Sequence, residues 1–465
     1  MQKLFQEVNS LDKRCYEKLY LSEDILMEQA SMALAKEVKK CAKKTDTILF
    51  ICGPGNNGAD GITAARILAA EGNVLVYIPL GTKSAMAKLQ LKRLEALHIE
   101  VVSSLLDADV YVDALFGSGL TRDLNEQVIE IIQTVNKKDA CKIACDSSTG
   151  IDKSGSISTV CFKADTTVTM GALKESLYSD EAKDFVGQIK VANLGISRKN
   201  YETKSNAYLL DESDLELPYR KTNRVNKGDF GHVVVIGGQK EGASVLAATA
   251  AFNFGAGLVS ICSEKRTNIP LSIMHSESLP QKFNVVVAGM GLGSAYTDEK
   301  LHDCLLFHEK PLVIDADLFA HEMIKEILEQ KKDVVLTPHP KEFASLLALL
   351  GIASVTTAQV QKDRFKWARE FSKRYPNAVL VLKGANTIIT YNEMLYVNSL
   401  GTQKLAKGGS GDVLAGMIGS LLAQGYTPVK AAYNASLAHA LVAKKLKCSS
   451  FGLSPIDLCE GLKWL

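Results

Sequence analysis

An α/β fold in two domains is what this sequence predicts, and three observations carry the prediction. Buried-strand patterns alternate with helix patterns from residue 46 to 195. A polar stretch without sustained periodicity, residues 198–228, interrupts them. The alternation then restarts and runs through the rest of the chain. At 465 residues the chain exceeds one ordinary domain, and we place the division at 1–205 and 206–465. Such alternation implies parallel sheets covered by helices on both faces. Ligands then sit beyond the carboxyl ends of the strands.

The elements follow in order. A helix over about 23–39 starts at Ser22, with Glu23 and Asp24 favoured in its first turn by the helix dipole. TILFIC (47–52) is a buried strand, and ITAARILAAEG is a helix ending at Gly72. NVLVYIP and DVYVDAL (109–115) are strands. LNEQVIEIIQTVN is a helix with Leu124, Val128, Ile131, Ile132 and Val135 on one face. KIACD (142–146) and TTVTM (166–170) complete the first series. The second series is HVVVIGG (232–238), an Ala-rich helix to about Phe254, then LVSICS, VVVAGMGLG, PLVIDAD, DVVLTPH, AVLVLKG and TIITYN.

Bulk properties narrow the partners. Lys plus Arg number 54 against 52 Asp plus Glu, so there is no polybasic field to hold nucleic acid. No apolar run approaches the roughly 18 residues of a membrane span, so no membrane is expected. MQKLFQEVNSLDKRC lacks an apolar signal core, and the ten cysteines show neither CxxC nor zinc-finger spacing. These features predict free thiols in a reducing cytoplasm.

Three strand ends of the first half carry polar, Gly-rich loops. GPGNNGADG (53–61) lies between a strand and a helix; alone, it is as readily a structural turn as a binding turn. VDALFGSGL ends a strand in Asp113 and turns at Gly117 and Gly119; CDSSTGID ends the next in Asp146. One such aspartate is easily a turn or helix cap; three at one sheet edge are less so. Amide, carboxylate and hydroxyl oxygens of Asn57, Asp113 and Thr149 suit a hard cation such as potassium, sodium or calcium. Asp146 then remains available as general acid or base.

The second half has its own glycine turns, at Gly237–Gly238 and in AGMGLG (288–293). LTPHPKEF holds His339 between two prolines, where a hydrogen-bonded loop histidine is the plain alternative to a ligand contact. LKGANT offers Lys383, the Gly384 amide and the Thr387 hydroxyl to a polyphosphate. GGSGD (408–412) opens an apolar helix. Bare amides at such a turn stabilise a transferring phosphoryl group, and Asp412 beside them is placed to take the proton of the acceptor hydroxyl. Asp412 as a plain helix cap, worth about 1 kcal/mol, is the alternative.

Together these motifs resemble the bifunctional NAD(P)H-hydrate repair family. Residues 1 to about 197 resemble its NAD(P)HX epimerase domain. The rest resembles its ADP/ATP-dependent dehydratase domain, a ribokinase-like fold. The resemblance implies a Rossmann-like three-layer α/β N-terminal domain and a ribokinase-like α/β C-terminal domain. It implies NADHX and NADPHX as substrates, ADP or ATP with Mg2+ in the dehydratase, K+ in the epimerase, a cytoplasmic location and a homo-oligomer. NNGGDG of the family corresponds to Asn56, Asn57, Gly58, Ala59, Asp60 and Gly61, of which 56–60 would contact substrate. The loop Gly117, Ser118, Gly119, Leu120, Thr121, Arg122, Asp123 would contact substrate too, as would Asp146, the catalytic candidate. Asn57, Asp113 and Thr149 would bind potassium, Thr149 standing where the family usually has serine. Ala243, Gly293, His339 and Asp412 would contact the hydrate, Asp412 as base. Lys383, Gly384, Ala385, Asn386, Thr387 and Gly411 would hold the nucleotide. DADLFA departs from the family's DADALN after Asp317, and we expect no role for that loop.

The chemistry this implies is phosphorylation of the ring hydroxyl followed by loss of phosphate, a far better leaving group than hydroxide. ADP would give AMP and phosphate. Two other readings compete: a small-molecule kinase acting on a vitamin-precursor alcohol, and a dinucleotide-binding module without chemistry in the first half.

Overall fold

The structure is a computed structural model. It describes the chain except residues 71, 121–122, 158, 265–267 and 294–297, and the side chain of residue 298. It divides into two compact units, Gln2–Ser205 and Asn206–Leu465.

In the N-terminal unit the described residues form a seven-stranded sheet. Its spatial order is Val101–Val102, Asn73–Tyr77, Thr47–Cys52, Val110–Ala114, Cys141–Cys145, Thr166–Met170, Gln188–Ala192, all parallel. The central strands are buried on both faces, which is why they read as continuous apolar runs. Helix Glu23–Cys41 starts at Ser22, whose side chain accepts from Ile25 N. Helix Glu126–Asn136 buries Val128, Ile131, Ile132 and Val135 of the predicted face, while Leu124 lies before its N-cap, Asn125.

One helix differs from expectation. It spans Asn56–Leu68, so NNGADG forms its first turns rather than a preceding loop, and it ends at Leu68, short of Gly72. The glycines fit close packing: a Cβ on Gly58 would stand 1.8 Å from the Gly53 carbonyl oxygen, and one on Gly61 2.5 Å from Ala114 Cβ. Asn57 and Asp60 therefore share a helix face, three residues apart. A short parallel pair, Gln2–Phe5 with Leu173–Lys174, has no counterpart in the sequence reading and presents Lys174.

In the C-terminal unit ten strands run in the order Met274–Ser276, Leu258–Cys262, His232–Ile236, Val285–Ala288, Leu312–Ile314, Val334–Leu336, Ala378–Leu382, Thr387–Tyr391, Met394–Asn398, Ala207–Leu210. Thr387–Tyr391 is antiparallel to both neighbours and the other pairs are parallel, giving a mixed sheet. The polar stretch after residue 197 thus carries a strand, AYLL, too short to show periodicity. Helices Glu241–Asn253 and Ser410–Ala423 pack tightly; a Cβ on Gly416 would meet the Ala247 carbonyl oxygen at 2.0 Å. Small residues on both helices permit that approach.

Candidate active sites

In the N-terminal unit the three glycine-rich strand ends meet. They line a cavity of about 440 Å3 together with Asp12, Asp60 and Met170. Asp146 follows the strand Cys141–Cys145 in a left-handed conformation, φ +66°, a strained geometry for a non-glycine residue that concentrates at functional sites. Its carboxylate is held from four sides. Oδ2 accepts from Ser118 N (3.0 Å) and Ser118 Oγ (2.9 Å). Oδ1 accepts from Met170 N (3.2 Å) and Lys174 Nζ (2.5 Å). Burial alone would raise its pKa, but the Lys174 ammonium and these donors outweigh burial and hold it below the usual carboxylate range. A Cβ on Gly117 would stand 2.7 Å from Asp146 Oδ2, so the loop needs glycine there to close on the carboxylate.

Two further carboxyls share the cavity and behave oppositely. Burial, then the charges of Asp146 and Asp12, pushes Asp60 well above the ordinary range. Burial also raises Asp12, although the Tyr201 hydroxyl donates to it at 2.7 Å.

The expected cation ligands form an adjoining cluster. Asp113 is fully buried; it accepts from Thr149 N (2.7 Å), Thr149 Oγ1 (2.7 Å) and Leu115 N (3.1 Å). Burial pushes it up to about 6. Thr149 Oγ1 also accepts from Phe116 N at 3.0 Å. With its amide turned so that the nitrogen donates to the Cys145 carbonyl (3.1 Å), Asn57 accepts from Gly117 N at 3.2 Å.

The other expected substrate contacts spread out. Asn56, Gly119 and Leu120 line the cavity, and Asn56 donates to Glu23 at 2.6 Å. Gly58 and Ala59 are buried in the helix packing and do not line it. Asp123 lines a neighbouring cavity of about 260 Å3 with Lys83. Thr121 and Arg122 lie outside the described residues.

In the C-terminal unit three adjacent strand ends converge under the start of helix Ser410–Ala423. Asp315 is buried; its Oδ1 accepts from Thr337 Oγ1 and Lys383 Nζ, both at 2.8 Å. Glu342 lies 4.0 Å from Lys383. Gly411 stands over this pair, since a Cβ there would be 3.2 Å from Lys383 Nζ and 3.8 Å from Asp315 Oδ2. The helix N-cap is Gly409 at φ +93°, not Asp412, which is the third helical residue. Burial, then the Asp315 charge, pushes Asp412 up to about 7 against the pull of Lys383.

His339 caps helix Pro340–Leu349: Nδ1 accepts from Lys341 N and Glu342 N, both at 3.2 Å. Gly293, at φ +62°, donates its N–H to Asp317 (2.9 Å), so the loop given no role holds a glycine expected to contact the hydrate. A Cβ on Gly291 would lie 3.2 Å from Ala243 Cβ, which brings Ala243 to the same turn. The Lys383–Asn386 loop, which leads through Gly384 and Ala385 to Thr387 at the head of the next strand, is clamped by buried Arg364. Its guanidinium donates to the carbonyls of Asn386 (2.8 Å), Leu382 (2.8 Å) and Lys383 (3.0 Å).

Sequence reasoning missed Asp12 and Lys174 in the first site, and Asp315, Glu342 and Arg364 in the second. Two of these carried a signal. Asp315 ends a strand just as Asp113 and Asp146 were read to do, and Lys174 is an isolated cation in a run of small and apolar residues.

Among the described residues no helix is long and apolar enough to cross a membrane, and all ten cysteines are free thiols.

Comparison with known proteins bears on both units. Residues 233–460 match the family described as NAD(P)H-hydrate dehydratase, and residues 23–176 the YjeF-related protein N-terminus. The bifunctional NAD(P)H-hydrate repair enzyme Nnr of Helicobacter pylori is 41% identical over 100% of both chains. That of Escherichia coli K12 is 32% identical over 89% of this chain and 84% of its own. A solved structure, the ADP/ATP-dependent NAD(P)H-hydrate dehydratase of Bacillus subtilis co-crystallized with ATP/Mg2+, is 26% identical. It covers 53% of this chain and 92% of its own, with a TM-score of 0.45. With both halves matched in order and a full-length relative at that identity, the chain belongs to the family of bifunctional NAD(P)H-hydrate repair enzymes.

Proposed function

We infer that this chain repairs hydrated nicotinamide dinucleotides: the N-terminal unit interconverts R- and S-NAD(P)HX, and the C-terminal unit dehydrates the S form at the expense of a nucleotide, with ADP as the donor. Beyond family membership, the observation that carries the reading is Asp412, buried next to Gly411 and within the electrostatic reach of Lys383 and Asp315. A carboxyl group pushed up to about 7 is a competent base near neutrality. Asp412 takes the proton of the ring hydroxyl, whose oxygen attacks the terminal phosphoryl group as the bond to AMP breaks. Phosphate then leaves with the C–O electron pair, the neighbouring ring carbon gives up a proton, and the dihydronicotinamide double bond is restored. Amides of the GGSGD turn and the Lys383 ammonium stabilise the charge on the transferring group. Magnesium would accompany the nucleotide phosphates and neutralise their charge.

In the N-terminal unit, Asn57, Asp113 and Thr149 would hold one potassium ion. Support comes from Asp113, a buried carboxylate whose hydrogen-bond partners among the described residues are two backbone amides and a hydroxyl, without a basic side chain. The bound ion would supply the missing positive charge beside it and fix the substrate loop.

The test mixes the full chain with separated R- and S-hydrates of NADPH and ADP or ATP. Recovery of dihydronicotinamide absorbance and release of inorganic phosphate are followed together. The expected result is repair of both epimers, with Asp412→Asn abolishing dehydration. A stable phosphorylated product without NADPH would identify a kinase instead.

A further inference from the structure

Hydration of a ring double bond next to nitrogen puts the hydroxyl on the carbon beside that nitrogen. The stereocentre is therefore a carbinolamine carbon, and inverting it requires breaking either its C–O or its C–N bond. The dehydratase needs a phosphoryl group to break C–O. The N-terminal unit has carboxyl groups in its cavity, one of them paired with a buried ammonium, and these suit C–N cleavage.

Asp60 and Asp146 both line that cavity, with opposite surroundings. Asp146 accepts four hydrogen bonds, one from the Lys174 ammonium. The Asp60 carboxyl accepts none among the described residues. It sits on helix Asn56–Leu68 where the main cavity adjoins a smaller one of about 90 Å3, lined by Leu26, Met27, Ala30 and Met170. The ionisable groups facing it are Asp146, Asp12, Glu23 and Tyr16, opposed by Lys174. A carboxyl without donors, against an apolar wall and among acids, keeps its proton. Two carboxyls driven apart in this way mark an acid and a base.

We propose that Asp60 is the proton donor of the epimerisation, acting on the ring nitrogen while Asp146 acts on the hydroxyl. This rests on the epimerase reading of the N-terminal unit. Asp146 takes the hydroxyl proton and C–O becomes C=O. The C–N bond breaks, and its electron pair goes to nitrogen, which receives the proton of Asp60. The aldehyde turns about its C–C bond and presents its other face. Nitrogen attacks and returns its proton to Asp60, and Asp146 returns its proton to the new hydroxyl. Both residues regain their starting states each turnover, and nothing else is consumed.

Wild-type and Asp60→Asn full-length chains are compared for R-to-S conversion by chromatography, with melting temperature and S-hydrate dehydration as folding controls. We expect kcat to fall by about 100-fold or more with KM little changed, and the alkaline decline of the wild-type kcat profile to be absent from the residual activity. A variant with wild-type kcat, or one affected only in KM, overturns the proposal. A second measurement needs no variant: wild-type turnover in 18O-water is expected to leave the hydroxyl oxygen in place, and uptake of one solvent oxygen per inversion overturns C–N cleavage. A wild-type chain that interconverts no epimers refutes the epimerase reading and the role of Asp60 with it, an outcome distinct from an unimpaired Asp60→Asn variant of an active wild type.

Discussion

Lys174 Nζ lies 2.5 Å from Asp146 Oδ1, with only 1% of the lysine side chain exposed. The same ammonium bonds Thr169 Oγ1 at 2.7 Å. A cation this enclosed fixes both the charge and the aim of the carboxylate beside it. Lys174→Met leaves Asp146 with neutral donors only, so its pKa rises. We expect epimerase activity to drop steeply and its acid limb to move to higher pH. Breaking one side of a buried pair costs about 3–5 kcal/mol. Denaturant unfolding of Lys174→Met and of Lys174→Met/Asp146→Asn checks this: the double variant should recover much of the stability and none of the activity.

Asp412 titrates near the working pH. Its carboxyl, ordinarily at 3.8, is pushed up to about 7 by burial and by Asp315. Below that value it is protonated and cannot accept the hydroxyl proton, so dehydratase kcat should fall as pH drops through about 7. Asp315→Asn removes the repelling charge, and the acid limb should then shift to lower pH. The native state holds this proton more tightly than the unfolded chain does. Linkage therefore makes Asp412 destabilising as pH rises from about 4 to about 7. Asp412→Asn should be inactive yet melt higher than wild type at pH 8, and a lower melting temperature there would contradict the assignment.

Thr149 replaces the serine common at this position in the family. Its hydroxyl donates to Asp113 and accepts from Phe116 N, two bonds that need only a hydroxyl. Thr149→Ser should keep both, and with them any dependence of the epimerase rate on KCl over tetramethylammonium chloride. Thr149→Val keeps the shape, loses the oxygen, and should lower the rate and abolish the salt preference. Equal potassium dependence in the valine variant would remove Thr149 from the cation site.

The succession of strands along the chain and the glycine-rich edges were legible because buried parallel strands are apolar throughout and the turns between them are chemically distinct. TILFIC and TTVTM match their observed strands. The helical start of NNGADG was not legible, since Asn and Gly weakly favour turns and tertiary packing overrides them here. Lys174 and Arg364 escaped for another reason. Each acts on a partner far along the chain: 28 residues separate Lys174 from Asp146, and 22 separate Arg364 from Asn386. Local patterns do not encode such pairs. Asp315 stands in DAD at the end of the apolar run PLVI, the same strand-end position as Asp113 and Asp146.

Arg364 gives the last prediction. Its guanidinium is 3% exposed and donates to three carbonyls of the loop that begins with Lys383. Only a planar fork reaches several acceptors at once. Lysine at 364 offers a single point of contact, and methionine offers none, leaving buried carbonyls unpaired at about 1–3 kcal/mol each. Lys383 would then lose its fixed position over Asp315, and the nucleotide would lose a prepared cation. We expect the nucleotide KM to rise about 10-fold or more in Arg364→Met, less in Arg364→Lys, with epimerisation unchanged in both. Steady-state kinetics with varied ADP, run beside thermal unfolding, separate the two effects. A destabilised variant with the wild-type nucleotide KM would make Arg364 a structural residue and no more.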